Sequence, residues 1–255
     1  MKLEYIDIHT HPFKEYYEDP HTEVKKWKAQ NMQYMFVNGT SEEDCVELLE
    51  LCKKEDYLFP VIGIHPSLAK GKQDGKFLES IITKDVIGIG EIGLDYHYDD
   101  NPSKEVQFES FTSQLEVAQK YNLVAILHIR DALEDAYSII SNKKYQNLKF
   151  VFHSYSGDAE FTKKCLKHPN FYFSFSGVVT FKNAKSLQEA NKLIPLDRMF
   201  FETDTPYLAP MPLRGKPNIS PYVEHIYKYV AASRNIPEEK LVEQIKQNVK
   251  KVFGV

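Results

Sequence analysis

Short β-rich runs alternate with helical patterns along the whole chain. Eight runs read as strands: Leu3–Ile8, Gln33–Val37, Leu58–Ile64, Val86–Gly90, Val124–Leu127, Leu148–Phe152, Phe171–Phe175 and Met199–Thr203. Several of them, such as "FPVIGI", "VIGIG" and "LVAIL", are apolar without alternation. Runs of that kind suit parallel strands covered on both faces. Helical spacing fills the gaps. Ser41 opens "SEEDCVELLELCKK", where Ser41 and Asp44 resemble a capping box. "SKEVQFESFTSQLEVAQKY", "DALEDAYSIIS", "DAEFTKKCLKH" and "NAKSLQEANKL" follow, and two further helices start near Tyr222 and Glu238. No linker or low-complexity tract interrupts the series. The pattern predicts an α/β protein, a closed (β/α)8 TIM barrel forming a single domain over 1–255. A doubly wound open sheet is the alternative. "PYLAPMPLRGKPNIS", the longest irregular stretch, follows the eighth strand and should lie across the barrel mouth.

Composition changes this picture little. Hydrophobic residues make up 42% of the chain, enough for a full core. No apolar run approaches the length that spans a bilayer, and the N-terminus lacks a secretory pattern. Cys45, Cys52 and Cys165 have no metal-finger spacing, and their odd number argues against a disulfide framework. A cytoplasmic location is therefore expected, with no membrane association and no obligate protein partner. Net charge is −4 with acids and bases interspersed, so the basic face of a duplex-DNA binder is missing.

The chemistry lies at the strand ends. His9 and His11 end the first strand, and residues i and i+2 leave a strand on one face. His65 follows the third strand, Glu91 the fourth, His128 the fifth, His153 the sixth and Asp204 the eighth. In a barrel all of these converge on the face where such enzymes keep their active sites. Imidazoles and carboxylates gathered in one small volume point to a divalent ion. One open site uses three or four protein ligands, so two ions sharing a bridging carboxylate would use all the strong candidates. Arg130, two residues past His128, is a candidate for holding phosphate or carboxylate. Taken singly, His65 reads equally well as a loop residue, Asp204 as a turn residue and Arg130 as a surface ion-pair partner. His21, His168 and His225 read as surface residues in helical or linking segments.

Gly88–Gly93 spells "GIGEIG", a literal GxGxxG. A dinucleotide site needs a helix to open at the third glycine. "LDYHYDDNP" follows instead, and Glu91 inside the cradle would repel phosphate. Nucleotide-cofactor binding is not expected.

"DIHTH", "GIHP", "GEIGLDYH", "LHIRDA", "FHSYSG" and "ETDTPYLAP…RGKPN", in this order, resemble the TatD family of metal-dependent hydrolases and deoxyribonucleases. The resemblance runs from Asp7 to Asn218, and "NVKKVFG" is similar to the family's last helix. It implies a TIM barrel with two divalent metal ions (Mg, Mn or Zn). On the family pattern His9, His11 and Asp204 hold one metal, His128 and His153 the other, and Glu91 bridges. It also implies a phosphodiesterase acting on DNA or a nucleotide-containing substrate, expected at the ends of single-stranded DNA. Asp204 and Glu91 would serve catalysis, Arg130 and His65 substrate binding, and Arg214 or Lys216 of the mouth loop could steady phosphates. The alternative is an amidohydrolase acting on a small cyclic amide, ester or lactone. Many such enzymes bridge metals with a carboxylated lysine, and no lysine ends strands three to five here.

Overall fold

A computed structural model describes residues 2–255. Eight parallel strands pair in chain order. They are β1 (Tyr5–Thr10), β2 (Met32–Asn38), β3 (Leu58–Ile62), β4 (Gly88–Asp95), β5 (Val124–Arg130), β6 (Phe150–Phe152), β7 (Phe171–Phe175) and β8 (Met199–Phe201). The helices between and after them are α1 (Pro20–Lys28), α2 (Glu42–Cys52), α3 (Gln73–Ile81), α4 (Lys104–Tyr121), α5 (Leu133–Ile140), α6 (Ala159–Cys165), α7 (Lys185–Leu193), α8 (Val223–Ser233) and α9 (Glu238–Phe253). This is the expected TIM barrel and not the open sheet.

All eight strands form where the apolar runs place them, but β1, β2, β4 and β5 continue beyond the predicted ends. His9, Glu91 and His128 thus lie inside strands, not after them. Helices α1 and α3 were not evident in the sequence. The capping box at α2 is only half present: Ser41 accepts from the Asp44 backbone N–H at 3.0 Å, while the Asp44 carboxylate turns to the N–H and hydroxyl of Thr40.

Phenylalanines fill the interior, among them Phe36, Phe150, Phe152, Phe171, Phe173 and Phe200, all buried. Burying each such ring contributes about 2–3 kcal/mol. Cys45 and Cys165 are buried, Cys52 is half-buried, and all three are free thiols. GIGEIG lies entirely within β4, so its glycines cradle no cofactor. They let strands approach closely: a Cβ on Gly93, where φ is +149°, would sit 2.0 Å from the His128 carbonyl oxygen. Among the described residues no helix is long and apolar enough to cross a membrane.

The ring closes weakly. β1 meets the segment just after β8 through an isolated bridge between Thr10 and Thr205, with the Asp204 N–H donating to the His9 carbonyl at 2.9 Å. Side chains supply the rest. Asp7 of β1 accepts from the Thr203 backbone N–H at 2.9 Å, the Thr203 hydroxyl at 2.5 Å and the His9 N–H at 3.2 Å, and the Ser220 hydroxyl also donates to it. Burial pushes this carboxyl up to about 7 against the pull of those donors.

Candidate metal centre

The C-terminal ends of the strands surround a cavity of about 890 Å³. His11, His65, Glu91, His128, Arg130, His153 and Asp204 all line it. His9 is fully buried beneath them.

Two backbone irregularities set the geometry. The β1–β2 register shifts between Asp7 and Thr10, and the β4–β5 register shifts between Ile89 and Ile92. His9 and Glu91 sit in these shifts. Such bulges re-aim a side chain that strict alternation would send elsewhere.

His9 Nε2 lies 3.1 Å from His11 Nε2, and His11 Nε2 lies 3.3 Å from Asp204 Oδ1. Glu91 Oε1 is 3.7 Å from both imidazole nitrogens. The other carboxylate oxygen faces the second group: Glu91 Oε2 is 3.3 Å from His128 Nδ1 and 3.5 Å from His153 Nε2. Metal–ligand bonds of about 2.1 Å put neighbouring ligand atoms about 3.0 Å apart in an octahedron and about 3.4 Å apart in a tetrahedron. The shortest separations on both sides of Glu91 match those edges. The donors form three clusters able to hold a divalent ion: His9, His11 and Asp204; His65, Glu91 and His128; and His9, His153 and Glu202.

Outer partners decide which nitrogens face inward. His11 Nδ1 is 2.8 Å from the Asn38 carbonyl, which can only accept, so Nδ1 carries the proton and Nε2 keeps its lone pair. His128 Nε2 is 3.0 Å from Asp95 Oδ2, leaving Nδ1 for Glu91. His153 Nδ1 is 2.7 Å from Glu202 Oε1, leaving Nε2 inward. Asp7, Asp95 and Glu202 were not singled out in the sequence. A signal existed for two of them: Asp7 and Glu202 each stand two residues before a candidate ligand, His9 and Asp204.

Electrostatics follow this arrangement. Burial alone would raise Glu91, but the imidazoles of His9, His128 and His153 hold its carboxyl well below the usual range. Burial works against Asp204 in the same way, and His153, His11 and His9 bring it down to about 2. Burial disfavours the charged form of His153, yet Glu202 and Asp204 push it up to about 10. His9, buried and beside His153, is lowered and stays neutral.

His65 differs from the other histidines. Its Nδ1 accepts from the Ser67 backbone N–H at 3.1 Å, so in the neutral ring Nε2 carries the proton. Burial and the neighbouring His128 lower it to about 3. A protonated Nε2 offers a hydrogen bond, not a lone pair for an ion. Arg130 lines the cavity and donates to the Tyr98 hydroxyl at 3.3 Å. Arg214 and Lys216 do not line it, and Arg214 stacks on Phe181 with Cζ 4.4 Å from the ring centre. His97 pairs with Asp131 at 2.7 Å outside the cavity. His21, His168 and His225 also lie outside it, but half-buried rather than on the open surface; His168 stacks on Phe171 at 4.6 Å.

A barrel with buried histidine–carboxylate clusters at its C-terminal face has the makings of a metal-dependent enzyme. Sequence comparison narrows the class. The family model for TatD related DNase matches residues 6–254, and the chain belongs to that family. It is 35% identical over 254 residues to the uncharacterized metal-dependent hydrolase YabD of Bacillus subtilis, covering 98% of this chain and 99% of the relative. It is 32% identical over 256 residues to the uncharacterized metal-dependent hydrolase YcfH of Escherichia coli, covering 98% and 96%. Among solved structures, the TatD homologue YjjV of Escherichia coli superposes with a TM-score of 0.89 at 23% identity over 98% of both chains, a likeness of fold.

Proposed function

We propose that the protein is a two-metal phosphodiesterase that removes nucleotides from the ends of single-stranded DNA. The observation that carries the reading is the split orientation of Glu91, with Oε1 toward His9 and His11 and Oε2 toward His128 and His153. One carboxylate serving two clusters is the arrangement of a shared pair of ions. His9, His11 and Asp204 would hold one ion, His128 and His153 the other, and Glu91 would join them. Two divalent ions supply a lowered pKa for bound water and neutralise charge that builds on phosphoryl oxygens. Asp204 would accept the proton of the attacking water at a carboxylate oxygen. His65 would donate from Nε2 to a phosphoryl oxygen, and Arg130 would hold a neighbouring phosphate.

The family's description as a DNase supports the substrate class. No lysine lines the cavity among the described residues. The carboxylated-lysine bridge of the amidohydrolase alternative therefore has no candidate there, which favours the phosphodiesterase.

The test compares an end-labelled single strand, its blunt duplex and a covalently closed single-stranded circle, each with Mg²⁺ or Mn²⁺. Stepwise release from the single strand, slow release from the duplex and an intact circle are expected. Rapid cutting of the circle would show an endonuclease. Hydrolysis of a lactone or of dihydroorotate, with all three DNA substrates untouched, would refute the phosphodiesterase reading.

A further inference from the structure

Two side-chain pairs at the cavity rim, each built on an exposed tyrosine, have no part in holding metal or activating water. Tyr98, three residues past β4, is 54% exposed. Arg130, the last residue of β5, lies over its ring with Cζ 4.9 Å from the centre. The other pair follows β8 and β1. Tyr207 is 51% exposed, its hydroxyl lies 2.8 Å from that of Tyr16, and the two rings meet edge to face at 5.9 Å. All four residues line the cavity.

Strand order places these pairs relative to each other. The sheet runs β1 to β8 around the ring. The β4/β5 junction is therefore half a turn from the β8/β1 junction. One pair faces the other across the mouth, and the clusters around Glu91 lie between them. Large rings left in water cost free energy unless something covers them. Tyr98 and Tyr207, with Leu68, are three of the eight large apolar side chains most exposed among the described residues, and all three line this cavity.

We propose that the two pairs are nucleobase subsites flanking the scissile phosphodiester, so that the unit recognised is base–phosphate–base and not a single nucleotide. The proposal rests on the nuclease reading and adds which atoms of the substrate are held. Aromatic faces stack on any base, which gives affinity without sequence preference. The Arg130 guanidinium, over the Tyr98 ring, offers both a planar surface and donors to the adjoining phosphate. On the other side the Tyr16 hydroxyl fixes the edge of Tyr207 and leaves that ring at the rim. A base inside a duplex has both faces covered by its neighbours, so only an unstacked base can use either subsite.

The experiment uses four thymidine dinucleotides: one complete, one lacking the 5′-side base, one lacking the 3′-side base, and one lacking both. KM and kcat are measured with Mn²⁺. Binding is read separately, with Ca²⁺ in place of Mn²⁺, as fluorescence quenching of dinucleotides carrying 2-aminopurine on one side or the other. Each missing base should raise KM about 10-fold or more, with kcat less affected. Tyr98→Ala should remove the effect of one base and Tyr207→Ala that of the other. Phenylalanine at either position should restore the preference, and circular dichroism verifies that each variant is folded. Equal kcat/KM for all four dinucleotides in the wild type would overturn the proposal and leave the nuclease reading standing. Loss of both base effects in both alanine variants would overturn the two-subsite arrangement. If no dinucleotide is cut, quenching decides: side-specific loss of quenching in the two variants keeps the subsites and refutes the chemistry, and absence of quenching in the wild type refutes both.

Discussion

Glu202 Oε1 lies 2.7 Å from His153 Nδ1, on the opposite side of the ring from Glu91. A buried carboxylate at that position keeps a proton on Nδ1 and turns Nε2 toward the second cluster. Replacing it with glutamine removes the charge and keeps the shape. Glu202→Gln should weaken metal binding about 10- to 100-fold. Titration against a competing chelator reads the change. An affinity equal to wild type would remove this orienting role.

The same contact predicts a pH dependence. His153 is pushed up to about 10, so at neutral pH it is protonated before metal enters. Coordination needs Nε2 unprotonated, so binding must displace that proton. Proton competition weakens as pH rises, and apparent metal affinity should climb between pH 6 and pH 8. Calorimetry in buffers of different ionisation enthalpy should show proton release on loading. Proton uptake, or none, would contradict the assignment.

Glu91 turns one oxygen toward His9 and His11 and the other toward His128 and His153, so its loss should affect both groups. Glu91→Ala leaves the two groups of imidazoles without a carboxylate between them. At least one ion should be lost per chain and activity should fall with it, while the circular dichroism spectrum stays unchanged. Elemental analysis after reloading and desalting gives the count. Wild-type occupancy at wild-type rate would exclude a bridging carboxylate.

Asp7 stabilises the fold at the seam. In Asp7→Ala the backbone N–H groups of His9 and Thr203 lose their acceptor in a buried place. Each such group costs about 1–3 kcal/mol, so a loss of about 2–6 kcal/mol is expected. Urea unfolding of the metal-free protein measures it. A loss under about 1 kcal/mol would mean that water or neighbouring groups replace the carboxylate.

Arg130 is the one lysine or arginine side chain lining the cavity among the described residues. Few phosphates can be neutralised there by the protein. The logarithm of DNA affinity should therefore fall with the logarithm of salt concentration with a slope of roughly −1 to −3. A steep slope, like that of proteins gripping many phosphates, would place the binding surface outside the barrel mouth.

The barrel was legible because unalternating apolar runs mark strands covered on both faces, and all eight runs became strands. The histidines were legible because polar residues at the tops of such runs are rare unless used. Helix α3 was hidden by Gly75, which breaks a helical pattern. The structure shows why glycine stands there: a Cβ would come 2.8 Å from the Ser113 carbonyl oxygen of α4. Helix α1 offers only Pro20, Val24 and Trp27 as buried positions, too few to reveal a period. Asp7, Asp95 and Glu202 look like ordinary charges in a chain with 36 acidic residues. Apart from the two-residue spacing of Asp7 and Glu202 before His9 and Asp204, only their burial against imidazoles and backbone donors separates them from the rest. The tilt of Arg214 onto Phe181 depends on a loop path that no periodicity encodes.

β1 and β8 are the first and last strands of the barrel, and main-chain pairing between them is sparse. The proposed ligands straddle that gap, with His9 in β1, His11 just past it and Asp204 beyond β8. An ion held by all three would act as a staple between the two ends of the sheet. Its binding free energy would then count toward closing the ring, raising stability by about 2.7 kcal/mol once free metal exceeds its dissociation constant 100-fold. In such a molecule resistance to heat and readiness for catalysis would track the same quantity, the free metal concentration.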